Sequence, residues 1–156
     1  MTNLPTANRS GTSIQVHKLM WPTAVGALVL TISFMAIGTF ANLPEDADAA
    51  FSAEQFVTRS GIVLAAVVLV FALVLPWALR RGSTGLIALS LSLIGMIFVF
   101  GYWTGLSPAF AAGGALLGWV GLDAAKGRGL SQAAFVIGLL AVISFSAIYV
   151  VSLMGK

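Results

Sequence analysis

Residues 61–76 have the sequence GIVLAAVVLVFALVLP, in which every side chain is apolar. A helix needs about 20 mostly apolar residues to cross the hydrocarbon core of a membrane, which is about 30 Å thick. With its flanks the stretch reaches that length, because the only charge in segment 57–79 is Arg59, near its beginning. Segment 57–79 is therefore predicted to be a membrane-spanning helix.

Four further apolar segments surround this one and indicate the fold class. They lie at about 20–43, 85–103, 107–122 and 131–153. The chain is 59% hydrophobic and 8% charged, whereas soluble domains contain about 25% charged residues. These features predict an all-α fold, a polytopic transmembrane helix bundle of five spans. Residues 1–18 are predicted to be a flexible cytoplasmic tail, and residues 19–156 the transmembrane domain.

The third and fourth spans belong to one uncharged stretch, Leu86–Leu122, of 37 residues. A single helix of that length would be about 55 Å long, which is too long for one crossing. Gly105, Ser107 and Pro108 are expected to break it: glycine permits the turn, serine caps the next helix, and proline fits a first helical turn. Two short helices in a hairpin are predicted. The alternative is a single span followed by a re-entrant segment at 107–122.

The charges in the loops predict the direction of the chain through the membrane. With the N-terminus inside, six basic residues lie on the inner side, namely Arg9, Lys18, Arg80, Arg81, Lys126 and Arg128. Two lie outside, Arg59 and Lys156, together with the acids of the first outer loop, Glu45, Asp46, Asp48 and Glu54. Because basic residues favour the cytoplasmic side, we predict an inner (plasma) membrane protein with its N-terminus inside and its C-terminus outside. Three tryptophans fall at predicted inner ends, as interfacial anchors do: Trp21, Trp77 and Trp119.

The first span also has features of a secretory signal, since Ala47-Asp48-Ala49 resembles a cleavage site. However, its apolar run is longer than the 7–15 residues, roughly, of a secretory signal core. We therefore predict an uncleaved anchor. Cleavage would leave four spans and would not change their orientation.

Few kinds of active site are compatible with these residues. The chain has no cysteine, so it has no disulfide, thiolate nucleophile or iron–sulfur ligand, and its one histidine, His17, precedes the first span. No charged residue lies at the middle of a predicted span, where proton-coupled transporters need one. The basic residues are spread over the loops and form no continuous nucleic-acid patch. We predict no enzyme activity and no catalytic, cofactor-binding or metal-binding residue.

Small residues are concentrated in the fourth span, at Ala111, Ala112, Gly113, Gly114, Ala115, Gly118 and Gly121. Helices in lipid associate through such residues, so the fourth span is expected at the centre of the bundle. Gly114 and Gly118 are expected to pack within the monomer, with a self-dimer as the alternative. The second span is expected to face mainly lipid or a partner. Hydroxyls at depth are expected to bond carbonyls of their own helices, as at Thr31, Ser33, Thr39, Ser90, Ser92, Ser144 and Ser146.

The loop before the fifth span has the sequence Gly127-Arg128-Gly129-Leu130-Ser131-Gln132-Ala133-Ala134, followed by Gly138. It resembles small uncharacterised bacterial multi-pass membrane proteins, in which two helices are joined by a loop ending in Gly-Arg-Gly-Leu. The resemblance covers about 25 residues. It implies a bacterial multi-pass membrane protein and supplies no catalytic residue.

The sequence favours a non-catalytic role, because packing surface is abundant and reactive groups are scarce. We expect an accessory or assembly subunit of a larger membrane complex, with the lipid bilayer and either a protein partner or a second copy of the chain as its contacts. No nucleic-acid partner and no cofactor is expected. The alternative is a passive binding or transport module for a lipid, quinone or other lipophilic molecule, with Phe98, Phe100, Tyr102 and Trp103 near the outer leaflet.

Overall fold

The computed structural model describes residues 9–40, 53–101, 104–122 and 127–154 of the 156-residue chain. All regular structure in these ranges is helical. The elements are α1 Arg9–Phe40, α2 Ala53–Val68, a π-helical segment Leu69–Val74, α3 Leu75–Arg81, α4 Thr84–Phe100, α5 Ser107–Gly121 and α6 Arg128–Met154. Because α2, the π-helical segment and α3 continue into one another, residues 9–40, 53–101, 104–122 and 127–154 form five helices, and the predicted all-α fold is confirmed.

Three of the five helices are long and apolar enough to cross a membrane, through the segments Lys18–Ile37, Gln55–Arg81 and Arg128–Val151. The other two are shorter. Helix α4 has 17 residues and α5 has 15, so at about 1.5 Å per residue they are about 25 Å and 22 Å long. Both are shorter than the hydrocarbon core, which is about 30 Å thick.

Helix α1 begins earlier than the apolar pattern predicts. It starts at Arg9, so residues 9–18 of the predicted tail are helical, and residues 1–8 lie outside the described part of the chain. A helix extends easily once it has begun, because each added residue gains a hydrogen bond without a new nucleation cost. Apolar periodicity therefore marks the buried part of α1 and not its first turns.

Helix α5 lies at the centre of the bundle, as predicted. It packs most extensively against α4 and α6, and those two also pack against each other. On its other side, α5 contacts α1 and the rod formed by α2, the π-helical segment and α3. Only Trp119 of α5 is exposed.

The π-helical segment forms a wider turn just before Pro76 in the rod that consists of α2, this segment and α3. The Leu75 N–H bonds to the carbonyl of Val70, five residues back, where a regular α-helix would use the residue four back. Proline has no N–H, and its ring pushes away the carbonyl four residues before it, which favours a wider turn. The extra residue keeps Leu75 and Ala78 on the buried face that Val63 and Val67 begin.

Candidate functional site

Helices α4 and α5 meet backbone to backbone at two glycines. A β-carbon added to Gly95 would lie 2.6 Å from the backbone nitrogen of Ala111. One added to Gly114 would lie 2.6 Å from the backbone nitrogen of Ser92. Carbon and nitrogen atoms that are not bonded do not approach so closely, so these positions accept only glycine. The interface leaves no room for a ligand between these helices.

The α5–α6 interface is equally close. A β-carbon on Gly118 would lie 2.6 Å from the backbone nitrogen of Phe135, and one on Gly138 would lie 2.7 Å from the carbonyl oxygen of Ala111. Gly114 thus faces α4 while Gly118 faces α6. The prediction that this pair packs within the monomer is confirmed, and a self-dimer through the two glycines has no free surface to use.

Three of the seven hydroxyls that were expected to bond carbonyls of their own helices do so among the described residues. Thr31 donates to the Ala27 carbonyl over 2.8 Å, and Ser90 and Ser146 donate to carbonyls four residues back in the same way. Ser92 differs, because its Oγ donates to the Ala134 carbonyl of α6 over 2.7 Å. This bond between helices was missed by the sequence prediction. In the sequence, the only indication of it was that Ser92 lies in the third predicted span, next to the glycine-rich fourth span.

Gly105, in the turn between α4 and α5, lies deep in the bundle, away from the C-terminal end of α1 and the N-terminal end of α2. A β-carbon on Gly105 would lie 2.9 Å from Thr31 Cγ2 and 3.2 Å from Val63 Cγ2. Thr31 is nine residues before the end of α1, and Val63 is ten residues after the start of α2. At about 1.5 Å per residue, the turn is therefore recessed by about 14 Å from both helix ends.

In the described part of the turn, the polar groups of Thr104 and Ser107 are satisfied within the α4–α5 hairpin. The Thr104 N–H and Oγ both donate to the Gly101 carbonyl, over 2.9 and 2.8 Å, and Ser107 Oγ donates to the Gly95 carbonyl over 2.9 Å. Gly105 makes the predicted turn with φ +69°, and Pro108 lies in the first turn of α5. The predicted cap at Ser107 is wrong, since its hydroxyl bonds α4 and makes no cap. A helix-capping side chain is normally exposed, whereas Ser107 is fully buried against α4. Its hydroxyl therefore bonds the Gly95 carbonyl of α4 and not an N–H of its own helix.

Aromatic side chains join α1 to α6 near the same end. Phe34 stacks on Tyr149 with ring centroids 4.9 Å apart and meets Phe145 edge-on at 6.2 Å. Such ring pairs add about 0.5–1.5 kcal/mol to the contact. Phe100, the last residue of α4, is 81% exposed beside the recessed turn. Tyr102 and Trp103 lie outside the described residues.

Three exposed arginines lie at the opposite end of the bundle. Arg80 and Arg81 end α3, and Arg128 begins α6. The Arg81 guanidinium lies over the Trp77 ring, 4.6 Å from its centroid. The tryptophans predicted as interfacial anchors, Trp21, Trp77 and Trp119, all have exposed side chains.

The described residues bring no catalytic set together. Among them, no three His, Cys, Asp or Glu residues form a group that could hold a metal ion. The described set does not include the side chains of these ionisable residues: His17, Glu45, Asp46, Asp48, Glu54, Asp123, Lys126 and Lys156. The surface with the most distinctive chemistry is therefore the arginine-rich end.

No family model, curated protein or solved structure matches this chain. The resemblance carried by the Gly127–Leu130 loop therefore stays a prediction. Any assignment of function has to come from the geometry and the chemistry of the chain itself.

Proposed function

We propose that the protein is a non-catalytic multi-pass membrane protein that acts as an accessory or assembly subunit of a larger membrane complex. One observation carries this proposal: α4, α5 and α6 pack backbone to backbone, so the interior is occupied by protein. The outer faces of the three long helices, including that of α6, present apolar side chains, since only 22% to 33% of the residues in their spanning windows are buried. That outward surface is where a partner helix would pack.

The proposed topology has five spans in the plasma membrane of a bacterium, with the N-terminus inside and the C-terminus outside. It is supported by the arginines, because Arg80, Arg81 and Arg128 lie at one end of the bundle and Arg59 near the other. A positively charged end favours the cytoplasmic side. Helices α4 and α5 are short for a crossing, but α5 is surrounded by protein, and α4 packs against α5 and α6.

The absence of cysteine allows a direct test of topology. Val57→Cys and Ser83→Cys each place one thiol at an exposed position, near opposite ends of the bundle. A membrane-impermeant maleimide should label Val57→Cys in intact spheroplasts and Ser83→Cys only after the membrane is permeabilised. Labelling of both residues from the same side would contradict the five-span topology.

The accessory role is tested by purifying the chain from its native membranes in a mild detergent. We expect a stoichiometric complex. Leu73→Trp on the π-helical segment and Ile143→Trp on α6 add bulk at exposed positions, 63% and 55% exposed, which leaves the fold of the monomer intact. The variant on the partner-facing side should release the partner while the other keeps it. A lone monomer from wild-type membranes, or a complex that neither variant weakens, would contradict the proposal.

A second role is favoured by the recessed turn and by Phe100 beside it. Gly105 lies about 14 Å below the ends of α1 and α2, and the exposed Phe100 ring at the end of α4 suits contact with an apolar molecule in the outer leaflet. Native mass spectrometry of the purified protein should then detect a bound lipid or quinone. Phe100→Ala should reduce its occupancy, whereas Met154→Ala, equally exposed at the end of α6, should leave it unchanged. Equal loss in both variants would contradict this role.

A further inference from the structure

We propose that the exposed face of the rod formed by α2, the π-helical segment and α3 binds a transmembrane helix of a different protein. A side-chain hydroxyl of that helix donates a hydrogen bond to the main-chain carbonyl of Ala72 or Leu73. This assignment rests on the accessory role proposed above and adds to it the face that is used and the chemistry of the partner. It is carried by carbonyls that the rod leaves without a donor, and by the shape of the face beside them.

Three consecutive carbonyls of the rod share a single N–H group. The Leu75 N–H bonds to the Val70 carbonyl, and Pro76 has no N–H. The α-helical pattern resumes in α3, where the carbonyl of the N-cap residue Val74 accepts from the N–H four residues on. Only the N–H of the residue after the proline therefore remains within reach of the carbonyls of residues 71–73. At least two of these three carbonyls have no main-chain donor.

The described part of the chain supplies no side-chain donor in place of the missing N–H groups. Every side chain from 61 to 76 is apolar, and none of the described side-chain hydrogen bonds ends on a carbonyl of residues 71–73. Ala72 and Leu73 are exposed, so their carbonyls lie on the outward side of the rod. Because one N–H cannot serve both, at least one outward carbonyl has no main-chain donor.

This carbonyl lies at a depth where neither water nor lipid can satisfy it. Leu73 is eight residues before Arg81, the last residue of the rod, and therefore about 12 Å from that end. The position is within the hydrocarbon core, which is about 30 Å thick. Lipid tails have no donor and water is scarce there, so a carbonyl without a partner is costly.

The face beside the carbonyls has the shape that a second helix requires. Gly61, Ala65, Val68 and Ala72 are all exposed and follow one another at spacings of four, three and four residues, so they lie in line along the rod. A β-carbon on Gly61 would meet nothing within 4 Å, so the described part of this chain does not cover the face there. Small residues four apart, as at Gly61 and Ala65, let another helix backbone approach closely. At such a distance a short side chain of that helix reaches the carbonyls.

The missing donor also determines what kind of partner fits. A second copy docked through the same face would bring no donor, because residues 61–76 contain only apolar side chains. Serine and threonine combine a hydroxyl donor with the small size that a close interface between membrane helices needs. The partner is therefore a different chain with a serine or threonine in its own spanning helix.

The carbonyl is tested with a leucine–alanine transmembrane peptide that has one serine near its centre, and with the same peptide carrying alanine there. Binding to the full-length protein in bicelles is measured by energy transfer between labels. We expect the serine peptide to bind about threefold to 18-fold more tightly, as a hydrogen bond between membrane helices provides. Equal binding of the two peptides to the wild-type protein would overturn the proposal.

Pro76→Ala supplies a second N–H for the carbonyls of residues 71–73 and should reduce the preference for serine towards one. Pro22→Ala is the matched control, because Pro22 also lies inside a helix but near its exposed inner end, where water can serve the carbonyl that it frees. The control should keep the wild-type preference. An equal change in both variants would overturn the role of the carbonyl.

The face is tested by filling it. Gly61→Leu should weaken the binding of both peptides by about tenfold, because the added side chain holds the second helix away. Gly26→Leu, at an equally open glycine of α1, should change nothing. An equal loss in the two variants would overturn the assignment of the face. Thermal unfolding of each variant checks that the fold is retained.

A photo-crosslinking residue in native membranes separates this assignment from the accessory role itself. We expect a crosslink to the partner from position 65 and none from position 29, where Val29 of α1 is 56% exposed. A complex that crosslinks from position 29 and not from position 65 would overturn the assigned face and leave the accessory role standing. The absence of any complex would contradict the accessory role and, with it, the assignment of its partner.

Discussion

Helices α4, α5 and α6 differ from the pair formed by α1 and the α2–α3 rod in what fills the space between them. In the first group the backbones touch, and glycine is required at Gly95, Gly114 and Gly118. In the second group side chains fill the gap, with Met35 of α1 and Val63 and Phe71 of the α2–α3 rod buried. Lipid tails are as apolar as leucine, so neither interface is driven by exclusion of water, and both depend on the quality of contact.

A single glycine in an apolar helix does not by itself mark a close contact. Gly26 in α1 and Gly61 in α2 also lie in apolar helices, yet a β-carbon on either would meet nothing within 4 Å. A glycine indicates close packing only where a second helix approaches its α-carbon. Four substitutions or deletions, each with a matched control, test how far this distinction holds.

The largest effect is expected from Gly118→Ala. The added carbon would lie 2.6 Å from the Phe135 nitrogen and 2.8 Å from the Ser131 carbonyl, so the α5 and α6 backbones must separate. We expect a loss of about 3 kcal/mol in the free energy of unfolding. Steric trapping in bicelles measures it. The control Gly26→Ala has open space and should be neutral or stabilising by up to about 1 kcal/mol. If Gly118→Ala and Gly26→Ala lost similar free energies of unfolding, the contrast between the backbone contacts of α4, α5 and α6 and the side-chain contacts of α1 would be contradicted.

A slightly smaller loss is expected from Phe71→Ala, which empties the side-chain-filled interface. Phe71 is 1% exposed, and truncating a buried phenylalanine costs about 3–5 kcal/mol in soluble proteins. Between helices in lipid the loss is expected to be just under about 3 kcal/mol, because exclusion of water does not contribute there. Leu73→Ala, two residues away in the same segment but facing outward, should change the free energy of unfolding by less than about 0.5 kcal/mol. Thermal unfolding in detergent ranks the two. If Phe71→Ala did not change thermal unfolding, the side-chain-filled interface would contribute little to the stability of the protein.

A modest effect is expected from Ser92→Ala, which removes the hydrogen bond to the Ala134 carbonyl. Bonds between membrane helices contribute about 0.6 kcal/mol on average and up to about 1.7 kcal/mol. Ser90→Ala removes a bond within one helix and should have a smaller effect. If the two serines had equal effects, the α4–α6 contact would depend on glycine packing alone.

Much of the fold could be predicted from the sequence. The number of helices, the central place of α5 and the turn at Gly105 follow from segment length, small-residue content and breaker residues. These features depend on local composition. The partners of individual side chains do not, which is why the bond from Ser92 to α6 and the bond from Ser107 to α4 were missed.

The arginine-rich end of the bundle could be predicted from the sequence only in part. The arginines at 80, 81 and 128 were visible in the sequence, but only as topology markers. Their position at one end of the bundle arises from the packing of the start of α4 against the start of α6, where Gly85 meets Gly127. Helix packing angles and offsets depend on many side chains at once, so a sequence pattern at one helix does not determine them.

The smallest effect is expected from a change that is usually severe, the deletion of one residue within a helix. Deleting Leu73 together with Pro76→Ala should convert the π-helical segment into a regular α-helix, because the turn holds one residue more than an α-helical turn. The buried faces of α2 and α3 would stay aligned. The free energy of unfolding should therefore remain close to that of Pro76→Ala alone. Deleting Leu140 from α6, also exposed, rotates all later residues by about 100° and should abolish folding. Equal damage from both deletions would contradict this account of the segment.

The π-helical segment also bears on how related chains should be recognised. A relative that lacks a proline at the place of Pro76 can be one residue shorter between Val68 and Leu75 and still present the same buried face. Gaps inside membrane helices are normally penalised heavily when sequences are aligned. At this position, the gap and the missing proline are expected to occur together, and a search that permits the pair should extend further into distant homologues than one that does not.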